Sequence, residues 1–246
     1  MKYLLLILAL VLSLSAKSIN IAVAANVSYA IDELKQEFMK LNPDIEVKVI
    51  LGSSGKLTAQ ITNGAPYGLF MSANMKYPNA LYEQKIATTK PIVYAQGTLA
   101  FLSIKKQDFS LGLELLKSKN IKRIAIANPK TAPYGIATVQ ALKNANIYDD
   151  VKSKFIYGES ISQTVSYTVT ASDIGIIAKS SLYSPRMSQY KKGLNWVSLD
   201  PTLYTPIQQG IVLLKYAKNS KEYKAFYDFI LSAKAKEILK KYGYII

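Results

Sequence analysis

Cysteine and histidine are both absent from the 246 residues. Without them there is no zinc site of ordinary type, no imidazole general base and no thiol nucleophile. An enzyme built from this chain would be left with Ser-Lys chemistry or paired carboxylates. The missing thiols also exclude a disulfide framework and the N-terminal Cys that a lipid anchor requires. Acidic residues are scarce as well: 16 Asp and Glu face 31 Lys and Arg, a formal net charge of +15. The lysines are scattered as singles and pairs, such as Lys105-Lys106, Lys191-Lys192 and Lys240-Lys241. With no dense basic run and no nucleic-acid motif, the charge reads as biased composition, and no nucleic-acid partner is expected.

Long apolar runs are missing too, apart from the first segment. Met1 to Ala16 has Lys2 as its one charge, an apolar stretch from Tyr3 to Leu12, and small residues at Ser13, Ser15 and Ala16. This pattern predicts a secretory signal cleaved between Ser15 and Ser18, because a membrane anchor needs about 20 apolar residues and Lys17, Ser18 and Asn20 follow at once. Loss of Lys2 with the leader leaves a net charge of +14. An exported chain with no lipid attachment is expected in the periplasm of a two-membrane bacterium, or in the medium. The roughly 230 residues that remain suffice for one large domain or two lobes.

What is present is a repeated rhythm of short apolar run, small polar loop and amphipathic stretch. Ile19 to Ala24 precedes Asn26-Val27-Ser28, after which Ile31, Leu34, Phe38 and Leu41 keep helical spacing, with Asn26 or Ser28 as the expected cap. Ile45 to Leu51 precedes Gly52-Ser53-Ser54-Gly55, and the helix that follows is expected to stop at Asn63-Gly64 before Pro66. Leu69 to Met71, Leu99 to Ile104, Ile124 to Ala127, Phe155 to Tyr157 and Ile174 to Ile177 continue the series. Such alternation predicts an α/β fold of mostly parallel strands, with ligands at the carboxyl ends of the strands. There the chain places its Asn, Ser, Thr and Gly residues. The stripe Tyr223, Phe226, Tyr227 and Ile230 reads as core packing.

Strand ends that turn into helices leave unpaired backbone N–H groups converging on one spot, which holds a small anion without Lys or Arg. Asn26, Ser53, Ser54, Tyr134, Ser160, and Ile161 through its amide, are the candidate donors. The competing chemistry is weaker. Ser53-Ser54-Gly55-Lys56 matches S-x-x-K, but Ser172-Asp173-Ile174 and Lys130-Thr131-Ala132 each fail the companion motifs at the third residue and stand in the wrong order. An exported hydrolase using Ser53 and Lys56 is therefore the minor alternative. A phosphate loop at Gly55-Lys56 fails because Leu57 stands where Ser or Thr is required.

These residues resemble the periplasmic molybdate-binding proteins of ABC importers. The matching stretches are Ala24-Ala25-Asn26, Gly52 to Leu57 with Gln60-Ile61, Gly64-Ala65-Pro66 with Leu69 to Ala73, Asn128-Pro129 to Pro133-Tyr134-Gly135, Asp173-Ile174-Gly175, and Phe226 to Phe229 with Lys241-Tyr242-Gly243. The resemblance implies a type II periplasmic binding protein: two α/β lobes joined by two crossovers, each a mostly parallel sheet flanked by helices, with the ligand in the cleft between them. It places lobe one at 17–95 plus 206–246 and lobe two at 96–205. Its oxyanion contacts carry over to Asn26, Ser54, Tyr134 and the Ile161 N–H, with Ser53 adjacent. The implied ligand is molybdate or tungstate, with sulfate or phosphate as alternatives on the same fold. No cofactor or catalysis is implied, and the implied partner of a monomeric protein is a membrane permease. Two departures stand out: Tyr67-Gly68 replaces a small residue and Asp, and Asn74 replaces an acidic residue. The loss of both carboxylates bears on inter-lobe contacts, affinity and choice of anion.

Overall fold

The apolar runs fold as strands and the stripes between them as helices. The computed structural model describes residues 17–246, and the expected export signal at 1–16 lies outside the described residues. The first part of the chain forms β1 (Lys17–Ala24), α1 (Ile31–Leu41), β2 (Ile45–Gly52), α2 (Ser54–Thr62), β3 (Leu69–Ser72), α3 (Lys76–Glu83) and β4 (Ile92–Gly97). Then come β5 (Leu99–Leu102), β6 (Ile124–Ala127), α4 (Pro133–Asn144), α5 (Tyr148–Val151), β7 (Phe155–Gly158), α6 (Ile161–Thr170), β8 (Ile174–Ala178) and β9 (Trp196–Ser198). The chain ends with β10 (Ile207–Leu213), α7 (Lys221–Leu231) and α8 (Ala233–Lys241). Helix α2 stops where the sequence predicts, with Gly64 at φ +85°, a conformation that costs an L side chain but not glycine.

Two five-stranded sheets result, ordered β2-β1-β3-β10-β4 and β7-β6-β8-β5-β9. In the first, β2, β1 and β3 pair parallel while β10 runs antiparallel to both β3 and β4. In the second, β7, β6 and β8 pair parallel while β5 runs antiparallel to both β8 and β9. Each sheet is thus mixed in its pairing, although four of its five strands point one way. The reversed strand in each sheet is the one that enters from the other. The chain leaves β4 for β5 through Thr98 alone, and leaves β9 for β10 through residues 199–206. The Leu99 N–H donates to the Tyr204 hydroxyl at 3.0 Å and ties these two crossovers together. The ladder of the first sheet extends to Gly97, past the expected boundary at residue 95.

Strand side chains alternate between sheet faces, and the helices cover both. Ile19, Ile21 and Val23 of β1 join Phe38 of α1 and Phe226 and Ile230 of α7 on one face, where the Phe38 and Phe226 rings meet edge to face at 5.0 Å. Ala22, between them, faces Leu57, Ile61 and Leu81 of α2 and α3. In the second sheet Phe101, Ile124 and Ile126 pack with Ala137 and Ala141 of α4, while Ala100 and Leu102 pack with Val165 of α6.

Register sets the site. Strands β1 and β2 pair without a slip from Lys17 opposite Ile45 to Ala24 opposite Gly52, so the loops after them leave the sheet side by side. Strands β6 and β7 likewise end level, with Ala127 opposite Gly158.

Candidate functional site: a neutral cavity at four chain turns

After β1 the chain makes a 3-10 turn at Ala25–Tyr29. Contrary to the sequence expectation, neither Asn26 nor Ser28 caps α1; Ala30 holds the cap position without a side-chain bond. Ser28 instead shares a 3.0 Å hydroxyl pair with Ser162 of the second lobe, and Ser162 donates to the Ala25 carbonyl at 2.7 Å. Ser53 sits extended before α2 (φ −67°, ψ 148°) and its hydroxyl does not cap that helix. Helix α4 opens on Pro133, where the missing N–H costs nothing. Helix α6 follows Ser160, whose hydroxyl accepts from the Gln163 N–H at 3.3 Å.

These four turns, two from each lobe, meet around a small pocket. Its wall consists of Ala24 to Asn26, Gly52 to Ser54, Ala73, Ala132 to Tyr134, and Ile161. Five of the six predicted donors, Asn26, Ser53, Ser54, Tyr134 and Ile161, stand in that wall. Ser160 does not: it lines the neighbouring open groove with Lys56 and Gln163, and its hydroxyl serves as the cap of α6.

No wall residue carries a charge. The first-turn amides of α2, α4 and α6, among them those of Ser54, Tyr134 and Ile161, have no carbonyl of their own helix to bond, and their helix dipoles add positive potential. Ser54, 1% exposed, accepts from the Ala73 N–H at 2.9 Å and keeps its own proton free to donate. The Tyr134 hydroxyl is buried with no aligned partner, although Gln209 lies close by and both meet at Gly97, where a Cβ would overlap the phenol oxygen. Burial holds the Tyr134 phenol well above its usual value, so it is a neutral donor at physiological pH.

The rim joins the lobes. The Gly55 N–H at the start of α2 donates to the Thr131 carbonyl at 2.9 Å. Lys56 pairs with Glu159 at 3.4 Å and stays more than half exposed. Lys56 is absent from the cavity wall and lines the neighbouring groove, into which Ser53 also reaches, with its ammonium turned to Glu159.

A family model described as bacterial extracellular solute-binding protein matches residues 19–245. The chain belongs to that family. Among characterised relatives of this solute-binding protein, the molybdate-binding protein ModA of Azotobacter vinelandii is 34% identical over 93% of the chain and 90% of the relative. The molybdate-binding protein ModA of Rhodobacter capsulatus is 32% identical over 98% and 93%. The solved structure of the Azotobacter vinelandii periplasmic molybdate-binding protein superposes with a TM-score of 0.83 at 29% identity, covering 93% of this chain and 99% of that one.

Both departures noted in the sequence lie outside the cavity wall of the solute-binding protein. Gly68 lies under the Tyr223 ring, where any Cβ would collide, and the Tyr223 hydroxyl accepts from the Asn20 N–H at 2.9 Å. Tyr67 donates to Gln60 at 3.2 Å. Asn74 accepts from the Ser72 hydroxyl and the Tyr77 N–H, each at 3.4 Å. Sequence reasoning missed Gln209, Tyr244, Ser162 and Ser180, which surround the Asn26 loop. Gln209 left a trace, as one of two amides interrupting the apolar run of β10. The other three carry no local mark.

Proposed function

We propose that this protein captures a tetrahedral oxyanion, molybdate with tungstate as its close analogue, in the periplasm and delivers it to the permease of an ABC importer. The observation that carries this reading is the small pocket whose wall holds no charged residue and is built from chain turns of both lobes. Lobe closure strips water from the dianion and replaces it with first-turn amides, the Ser53 and Ser54 hydroxyls and the Tyr134 phenol. Neutral donors suit a site that must also exist empty, because a buried, unpaired Lys or Arg would be costly whenever the anion is gone. Charge and tetrahedral shape are common to molybdate and sulfate, so cavity size makes the choice between them.

Identity of about a third to relatives named for molybdate binding supports the ligand, and the periplasmic relative supports the compartment. On this reading the protein works as a monomer exported by residues 1–16 without lipid attachment, makes and breaks no bond, and needs no cofactor. The pairing of Lys56 with Glu159 argues against the Ser-Lys hydrolase. Titration calorimetry of the ligand-free chain with molybdate, tungstate, sulfate and phosphate tests the proposal. Binding of the first two with none of the others is expected; no heat with molybdate would overturn it.

A further inference from the structure

The Asn26 side chain is held by more bonds than any other in the cavity wall. Its Nδ2 donates to Gln209 Oε1 at 2.8 Å and to the Tyr244 hydroxyl at 2.9 Å. Tyr244 in turn donates to the Asn26 carbonyl at 2.8 Å, and Ser180 from the second lobe donates to the same carbonyl at 3.1 Å. The direction of every bond is fixed. Gln209 Nε2 gives its proton to the Ile207 carbonyl at 2.9 Å, so its oxygen must face Asn26. Turning the Asn26 carboxamide over would set its oxygen against Gln209 Oε1, acceptor to acceptor.

Both amide hydrogens are therefore spent inside the protein, and Asn26 Oδ1 is left buried without a partner. Gln209 is fully buried and Tyr244 is 4% exposed, so water does not compete for these bonds. Their anchors are far away in the chain. Gln209 sits at the irregularity in the β10–β4 pairing, and Tyr244 is placed by the antiparallel bridge between Gln96 and Ile245, with bonds of 2.7 and 2.9 Å.

We infer that Gln209 and Tyr244 are positioning residues for the anion site: they clamp Asn26 so that the 25–29 turn presents its backbone N–H groups, rather than the Asn26 carboxamide N–H groups, to the bound oxyanion. The inference rests on the oxyanion reading above. It gives the last residues of the chain a part in ligand affinity although they do not line the cavity.

Tyr244→Phe, Asn26→Ala and the double variant are titrated with molybdate beside the unaltered protein, and the thermal midpoint of each ligand-free protein is recorded. Phe keeps the ring packing and removes only the hydroxyl. Tyr244→Phe is expected to bind about tenfold more weakly, a loss of about 1.4 kcal/mol. In the Asn26→Ala background the same change is expected to cost clearly less than tenfold, because the bond from the Asn26 carboxamide is already gone and only the Tyr244 bond to the residue-26 backbone carbonyl is left to lose. A purely structural role would lower the midpoint in both backgrounds and leave the two affinity losses additive. Unchanged or tighter binding by Tyr244→Phe, as a freed amide donor would give, overturns the inference, as does additivity. Failure of the unaltered protein to bind molybdate would instead overturn the functional reading.

Discussion

Ser54→Ala separates two roles of one hydroxyl. In the ligand-free protein the Ser54 oxygen is the acceptor for the Ala73 N–H at 2.9 Å, and both residues are buried. Removing it leaves a buried amide without a partner, which costs about 1–3 kcal/mol. For a chain of this size each kcal/mol moves the thermal midpoint by about 2–4 °C, so a fall of about 2–12 °C is expected. On the proposed reading the hydroxyl also donates its proton to a charged oxygen of the anion, and losing that bond costs about 1.5–3 kcal/mol of binding, a Kd raised about 10- to 150-fold at 1.4 kcal/mol per decade. Calorimetric titration reads the second quantity and scanning calorimetry the first. Ser53→Ala is the comparison, because that hydroxyl does not cap α2 and its loss is expected to weaken binding with little change in midpoint. A Ser54→Ala protein that is destabilised yet binds molybdate within about threefold of the unaltered chain would refute the placement of Ser54 at the anion.

Gly55→Ala puts a methyl group 2.9 Å from the Thr131 carbonyl of the opposite lobe and 2.8 Å from the Tyr77 hydroxyl, so the closed cleft is expected to be held open, with affinity down at least about tenfold. Small-angle scattering with saturating molybdate should then show a larger radius of gyration than for the unaltered protein, and equal radii would contradict the prediction. Burial pushes the Tyr244 phenol up to about 12 and holds Tyr94 and Tyr134 well above the ordinary value near 10. Below pH 10 both folded and unfolded chains keep these protons and stability is unaffected. Above it the unfolded chain releases them first, so stability falls by about 1.4 kcal/mol per pH unit per tyrosine, up to about pH 12 for Tyr244. Urea titrations from pH 9 to 11 measure the slope, which Tyr244→Phe should reduce. Because Tyr134 is the sole titratable residue in the cavity wall, no protein group there changes charge between pH 6 and 9, and affinity should be flat over that range.

The strand and loop rhythm was legible because it depends on neighbours in sequence: apolar runs at β1, β2 and β6, small residues at their ends, and a glycine that can take φ +85° after α2. The candidate donors Ser54, Tyr134 and Ile161, all placed in one pocket wall, followed from the same rule, since a helix start exposes its amides whatever lies opposite. The rule over-reached where a strand-end serine had a local use, as Ser160 does in capping α6. It also misplaced the cap of α1, because Ser28 found a partner in Ser162, 134 residues further along the chain.

The sequence by itself determined an α/β chain with neutral donors at its strand ends and no residue for thiol, imidazole or ordinary zinc chemistry. Tertiary structure alone decided which donors share one cavity, that its wall is free of charge, and that Gln209 and Tyr244 hold Asn26. The physical reason is separation along the chain. A hydrogen bond spanning 183 or 218 residues exists only once two sheets and a C-terminal bridge have fixed both of its ends, and no local pattern encodes that meeting.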